Sequence, residues 1–223
     1  AQNPQSTVVA KYPPDNCDTV QETRAEYYQS ESVLEQAFIE QLKIQAYEYL
    51  PITNEDALKT NLRTQMEKLN NYTFSDKEWS QFFTDELANP NHSIVEKTTT
   101  IQEDHIKNIT LENGTVKNIK LLDKDNIHNN SLQVINQYAT DEGQRPNRYD
   151  VTILVNGLPM VHIELKRRGV AITEAFNQIN RYKRESFWAD SGLFEFVQLF
   201  VISNGTHSKY YSNTTRARHV KEA

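Results

Sequence analysis

Asp150 and the triplet Glu164-Leu165-Lys166 stand on either side of Asn156-Gly157, within a stretch, residues 149–169, whose flanks alternate between apolar and polar side chains. Asn-Gly between two such runs is a hairpin signal. A two-residue loop would pair Val155 with Leu158 and set Val151 opposite His162, which mixes polar with apolar side chains on one face. One added loop residue pairs Val155 with Pro159 instead. Val151, Ile153 and Val155 then share a face with Val161, Ile163 and Leu165, as burial demands. In that register Asp150 lies opposite Glu164, and Lys166 is on their face. Two carboxylates at one end of a sheet repel each other unless a cation intervenes. A hard divalent ion, Mg2+ above all, relieves the repulsion, because it takes oxygen ligands and keeps waters and substrate phosphate oxygens in its shell. Lys166 could then orient or deprotonate an attacking water, or neutralise charge developing on a phosphorane. Taken alone, the pattern D-x(13)-E-x-K recurs by chance and equally describes exposed charges on a strand.

Downstream, Gln178 and Tyr182 are four residues apart and share one helical face, with Glu174 a turn earlier and Arg181, Lys183 and Arg184 beside them. A Gln amide next to a Tyr hydroxyl can hydrogen-bond phosphate or a base edge. A core tyrosine with its hydroxyl turned outward is the plainer account. Net charge is −6, yet residues 1–140 hold 12 basic and 21 acidic residues while residues 141–223 hold 12 and 9. Between Arg145 and Arg184 there are 8 basic residues and 3 acidic ones. Such a local basic face can hold a polyanion on an acidic chain.

The elements that must position these residues follow from pattern. Residues 1–28 are polar, contain Pro13-Pro14 and read as an extended arm. Ser32-Val33-Leu34-Glu35 reads as a capping box opening a helix over about 31–49, with Leu34, Phe38, Leu42 and Ala46 on one face and Pro51 as its stop. Asn54 caps a second helix bearing Leu58, Leu62 and Leu69. Ser75-Asp76-Lys77-Glu78 boxes a third, bearing Trp79, Phe82, Phe83 and Leu87, and Asn89-Pro90-Asn91 ends this part. From about 99 the period becomes two. Glu112-Asn113-Gly114 joins strands over 100–111 and 115–122, and Leu132, Val134 and Ile135 mark another strand. A helix over about 171–187 precedes a buried strand over Val197–Ser203, giving an α/β or α+β sheet with helices on its faces.

Several function classes lose their signatures. The six glycines are never closer than 12 residues, so GxGxxG, the P-loop and GxSxG cannot be written. The six histidines are likewise at least 12 apart, which removes HExxH. A single cysteine, Cys17, forbids an internal disulfide and a multi-cysteine zinc knuckle, and suits the cytoplasm. There is no apolar run of about 20 residues and no basic-then-apolar leader, so no membrane is implied. The polar start without methionine reads as a processed or engineered end.

Asp150, Glu164-Leu165-Lys166 and Gln178-x-x-x-Tyr182 together resemble the PD-(D/E)xK nuclease core of the RecB-like type with its QxxxY element. The longer strings NRYDVTILVNGLP, IELKRRGVAI, EAFNQINRY and QLFVISNGT are similar to the N-terminal nuclease domain of type I restriction enzyme R (HsdR, motor) subunits, the IC-like subgroup in particular. The opening YQSESVLEQAFIEQL is similar too, so the resemblance runs from about 28 to 215. Tyr149 stands where the motif's name has Pro, and Tyr is usual there in R subunits.

The resemblance implies an α/β fold: a PD-(D/E)xK core with a mixed central β-sheet flanked by helices, spanning 29–215 with a helical insertion over about 54–88. Residues 216–223 would begin a linker to helicase-like motor domains that this chain does not contain. It implies that Asp150 and Glu164 bind Mg2+ with the Leu165 carbonyl as a further ligand, and that Lys166 is the catalytic lysine. Gln178 and Tyr182 would support DNA contact and cleavage, with Arg148, Arg167 and Arg181 around them. Glu35 matches the position from which such nucleases supply an extra acid, although it is equally explained as a capping residue, and Glu31 or Glu40 could serve instead. The implied activity is Mg2+-dependent cleavage of duplex DNA after ATP-driven translocation. ATP would be bound by the motor domains and not by this segment, which alone would cut weakly or not at all. The implied partners are DNA and the modification and specificity subunits, in the bacterial cytoplasm. Two rivals remain at this level: a stand-alone repair or junction nuclease of the same core, and a catalytically silent docking module.

Overall fold

A computed structural model of the chain describes residues 30–140, 147–187 and 191–213. The expected arm and the expected linker start lie outside the described residues. Helix α1 (Glu31–Ile44) is followed by the short strand β1 (Glu48–Tyr49), then by α2 (Glu55–Asn70), α3 (Asp76–Phe82), which runs on into a π turn at Phe83–Leu87, and α4 (Ile94–Gln102). Strands β2 (Ile106–Thr110) and β3 (Val116–Lys120) form a hairpin apart from the main sheet. β4 (Leu132–Thr140), β5 (Asn147–Val155), β6 (Leu158–Leu165), helix α5 (Ile172–Glu185), β7 (Leu199–Ser203) and β8 (Ser208–Ser212) complete the order. The main sheet runs β1-β4-β5-β6-β7-β8. The β1–β4 and β6–β7 pairs are parallel and the other three antiparallel. This is the expected mixed sheet.

Alternation along the strands divides the core into two layers. On one face α1 lays Leu34, Phe38, Ile39 and Leu42 over Val134, Val151, Ile163 and Leu165. On the other, α5 and the helices of 55–101 pack against Ile135, Leu154, Phe200 and Ile202. Leu58, Leu62 and Met66 of α2 have no exposed surface, so the helices of this region share the sheet's own core.

Caps explain most helix starts. Asn54 accepts from Ala57 N, and Ser75 with Glu78 makes a full capping box. Four expectations need correction. First, α1 is capped by Ser30, which accepts from Val33 N, so Glu35 is not a capping residue. The helix stops at Ile44 because Ala46 takes a left-handed φ of 67°, which frees Glu48–Tyr49 to pair with β4. Second, residues 94–102 are helical and not the start of a strand. Ser93 and Glu96 form a capping box, and the run of threonines only imitates a strand. Third, the buried strand begins at Leu199, after a 3-10 turn at Leu193–Phe196. The polar segment 208–212 adds an unforeseen edge strand. Fourth, the β5–β6 loop has two residues, Asn156 (φ 51°) and Gly157 (φ 82°), with Val155 paired to Leu158. The extra residue is a bulge in β6 between the Leu154–Pro159 and Ile153–Val161 pairs. Beyond that bulge the expected register holds, with Val151 opposite Ile163.

Candidate active site

The β5–β6 hairpin ends where its strands separate. Past the Val151–Ile163 pair, the Leu165 N–H donates to Asp150 Oδ2 at 2.9 Å, so the Asp150 side chain bridges to β6 beside Glu164. Glu164 is fully buried. Lys166 Nζ lies 3.1 Å from Glu164 Oε1 and 4.0 Å from Glu31 Oε2, which places an ammonium against the carboxylates. Asp150, Glu164 and Lys166 are thus brought together, with Glu31 at the rim.

Burial dominates the electrostatics. It pushes the Asp150 carboxyl up to about 7, helped by repulsion from Glu164 and opposed by the Leu165 N–H and Lys166. Glu164 is likewise raised to about 7 by burial, against the pull of Lys166. Burial acts to lower Lys166, but Glu164, Asp150 and Glu31 outweigh it, so the ammonium is held above its ordinary value. A carboxylate pair with an acidity near neutrality and a firmly protonated lysine beside it fits a functional site better than a structural one.

Helix α5 closes the site from one face. Tyr182 is buried, its Oη donates to the Arg148 carbonyl at 2.8 Å, and the Gln178 amide donates to that Oη. The hydroxyl therefore ties α5 to the start of β5, two residues before Asp150, and is not turned outward. Burial and the nearby Glu164 keep it protonated. Arg148, Arg167 and Arg181 are exposed, and Arg181 lies over the Tyr182 ring.

Helix α1 separates the three candidate acids. Glu31 reaches Lys166, and its Oε1 accepts from Arg167 N at 3.4 Å. Glu35 is buried and accepts from the Asn136 and Gln137 side-chain amides. Glu40 pairs with Lys43 on the exposed surface, away from the centre. Sequence reasoning missed His162. Fully buried, it has edge contacts with Tyr149, Tyr182, Phe187 and Phe200, and its Nε2 is 3.5 Å from Glu164 Oε2. Burial lowers it to about 4, so it is neutral. The signal was its place two residues before Glu164 on the same strand face.

Among the described residues no group of three or more His, Cys, Asp or Glu is arranged to hold a metal ion. A pair of carboxylates still fits a hard divalent cation that keeps most of its waters. Buried Glu164 Oε2, which has no hydrogen-bond donor, leaves a lone pair for such an ion.

Residues 28–219 match the family described as Type I restriction enzyme R protein N terminus. The chain belongs to this family. This R-protein N terminus is 48% identical over 210 residues to the Type I restriction enzyme EcoprrI endonuclease subunit of Escherichia coli, covering 94% of the chain and 65% of that protein. It is 40% identical over 193 residues to a type I restriction enzyme endonuclease subunit of Staphylococcus saprophyticus, and 37% identical over 193 residues to one of Staphylococcus aureus. Those alignments cover 83% of the R-protein N terminus but 20% of each staphylococcal protein. The chain thus spans just under two thirds of the first relative and a fifth of the others.

Proposed function

We propose that this domain is the Mg2+-dependent endonuclease module of a type I restriction enzyme R subunit, cutting duplex DNA phosphodiester bonds. The observation that carries the reading is the convergence of half-buried Asp150 and buried Glu164 with Lys166 at the open end of one hairpin. Asp150 and Glu164, with the Leu165 carbonyl, would hold the ion. When bound, Mg2+ would polarise a phosphodiester oxygen and acidify a coordinated water. Lys166, kept protonated by its carboxylate neighbours, neutralises charge that builds on the phosphorane and orients the attacking water. Tyr182 holds α5 against β5, Gln178 and the exposed Arg148, Arg167 and Arg181 engage the DNA backbone, and Glu31 is the acid of α1 best placed to assist.

In the full-length protein, we read cleavage as following ATP-driven translocation by motor domains outside this chain, within a cytoplasmic complex with modification and specificity subunits. Among the described residues no helix is long and apolar enough to cross a membrane. The test is plasmid cleavage by the complete complex with Mg2+ and ATP. Asp150→Ala and Lys166→Ala should abolish cutting and leave ATP hydrolysis intact. Cutting by both variants would overturn the assignment, and robust ATP-independent cutting by this domain alone would favour a stand-alone nuclease.

A further inference from the structure

We infer that Glu35 is a positioning residue for Asp150, acting through a clamp on β4 and not as a ligand of the ion; this rests on the nuclease reading above. The β4–β5 ladder is continuous from Leu132–Val155 to Asn136–Val151 and resumes at Tyr138–Tyr149. The missing step is Gln137 with Asp150. Gln137 has a φ of 53°, a left-handed conformation that a non-glycine side chain adopts only when its surroundings enforce it. Glu35 supplies the enforcement from α1. Its Oε2 accepts from Gln137 Nε2 and its Oε1 from Asn136 Nδ2, both at 2.6 Å. Asn136 is fixed in turn, because its Oδ1 accepts from Tyr49 Oη at 3.0 Å. With Gln137 held out of the ladder, the backbone at Asp150 is not drawn into regular pairing on the β4 side, and its side chain takes the Leu165 N–H on the β6 side. Both oxygens of Glu35 are committed to this clamp, one turn of α1 beyond the Glu31 that reaches Lys166.

The experiment uses the intact R subunit and its complex, reading plasmid cleavage with Mg2+ and ATP and, without nucleotide, the Mn2+ binding that Asp150→Ala removes. Glu35→Ala frees Gln137 and should lower both readouts at least about tenfold, the scale of one strained backbone residue. Glu35→Gln should stay within about threefold of the parent, because a turned-over Gln137 amide still makes a donor–acceptor pair with it. Gln137→Gly in the Glu35→Ala background should restore both readouts, since glycine takes the left-handed conformation without a clamp. An acid that ligated the ion would give the opposite pattern, with Glu35→Gln as damaging as Glu35→Ala and no rescue by glycine, and that result overturns the inference. Parental behaviour of Glu35→Ala also overturns it. Should Glu35→Ala be insoluble, recovery of soluble protein by Gln137→Gly supports the clamp and continued insolubility refutes it. Cleavage retained by Asp150→Ala would instead sink the nuclease reading itself.

Discussion

Burial of the Asp150 carboxyl beside Glu164 makes stability depend on pH in a definite direction. The carboxyl stands at about 7 in the fold against an ordinary value near 4, so between those limits the folded chain binds more protons than the unfolded one. Stability contributed by the protonated group is complete below the unfolded value and is lost as pH rises through about 7. Glu164 acts in the same sense. Metal-free Asp150→Asn should therefore be more stable than the parent by about 1–2 kcal/mol at pH 8, a gain that disappears below about pH 5. Urea titrations at both pH values measure it, and an equal gain at both would show that charge is not the cause. The same protons compete with a divalent ion, so Mg2+ should raise the melting temperature more at pH 8 than at pH 6. At Tyr182, loss of the hydroxyl in Tyr182→Phe strands the buried bond to Arg148 O, with an expected cost of about 1–2 kcal/mol by denaturant unfolding.

The hairpin and the helices bracing it explain which parts of the site can be read from sequence. The approach of Asp150 to Glu164 is legible because alternation leaves one register that buries Val151, Ile163 and Leu165 together, although the ladder itself ends at Val151–Ile163 and Asp150 reaches β6 through its side chain. Where the odd residue goes is not legible, since a longer loop and a bulge in β6 give the same pairing further along. Gly157 makes the difference concrete. A Cβ there would sit 2.7 Å from the Leu62 Cα of α2, on a backbone with φ +82°. Gly114, in the β2–β3 turn with φ +80°, has nothing within 4 Å. Gly157→Ala should then cost roughly 3 kcal/mol or more, from strain plus displacement of α2, whereas Gly114→Ala should cost about 1 kcal/mol. Comparable losses in the two variants, measured by chemical denaturation, would mean that the α2 contact does not hold the turn. The clamp on Gln137 is illegible for a different reason, because it joins Glu35 to residues about a hundred positions away and no local pattern encodes that. His162 is different, since its place two residues before Glu164 on one strand face is a local signal.

At the level of the whole molecule, the acidic total of −6 does not describe the stretch between 145 and 184, where Arg148, Arg167, Arg168 and Arg181 are exposed. Two of the three acids in that stretch are Asp150 and Glu164, half-buried and buried beside Lys166. The fold class and most helices are legible because their caps and apolar periods are local. β1, α4 and β8 are not, because tertiary pairing or a capping box overrides the residue pattern there. The parallel pair of β1 with β4 also sets an order in time. Glu48 pairs with Gln133, so closing that edge brings together two segments with α2, α3, α4 and the β2–β3 hairpin between them, at a cost in loop-closure entropy. The β5–β6 hairpin, by contrast, closes over two residues. β5 and β6 should therefore be among the first strands to pair during refolding and β1 among the last, with substitutions at Glu48 or Tyr49 changing the unfolding rate and leaving the folding rate nearly untouched.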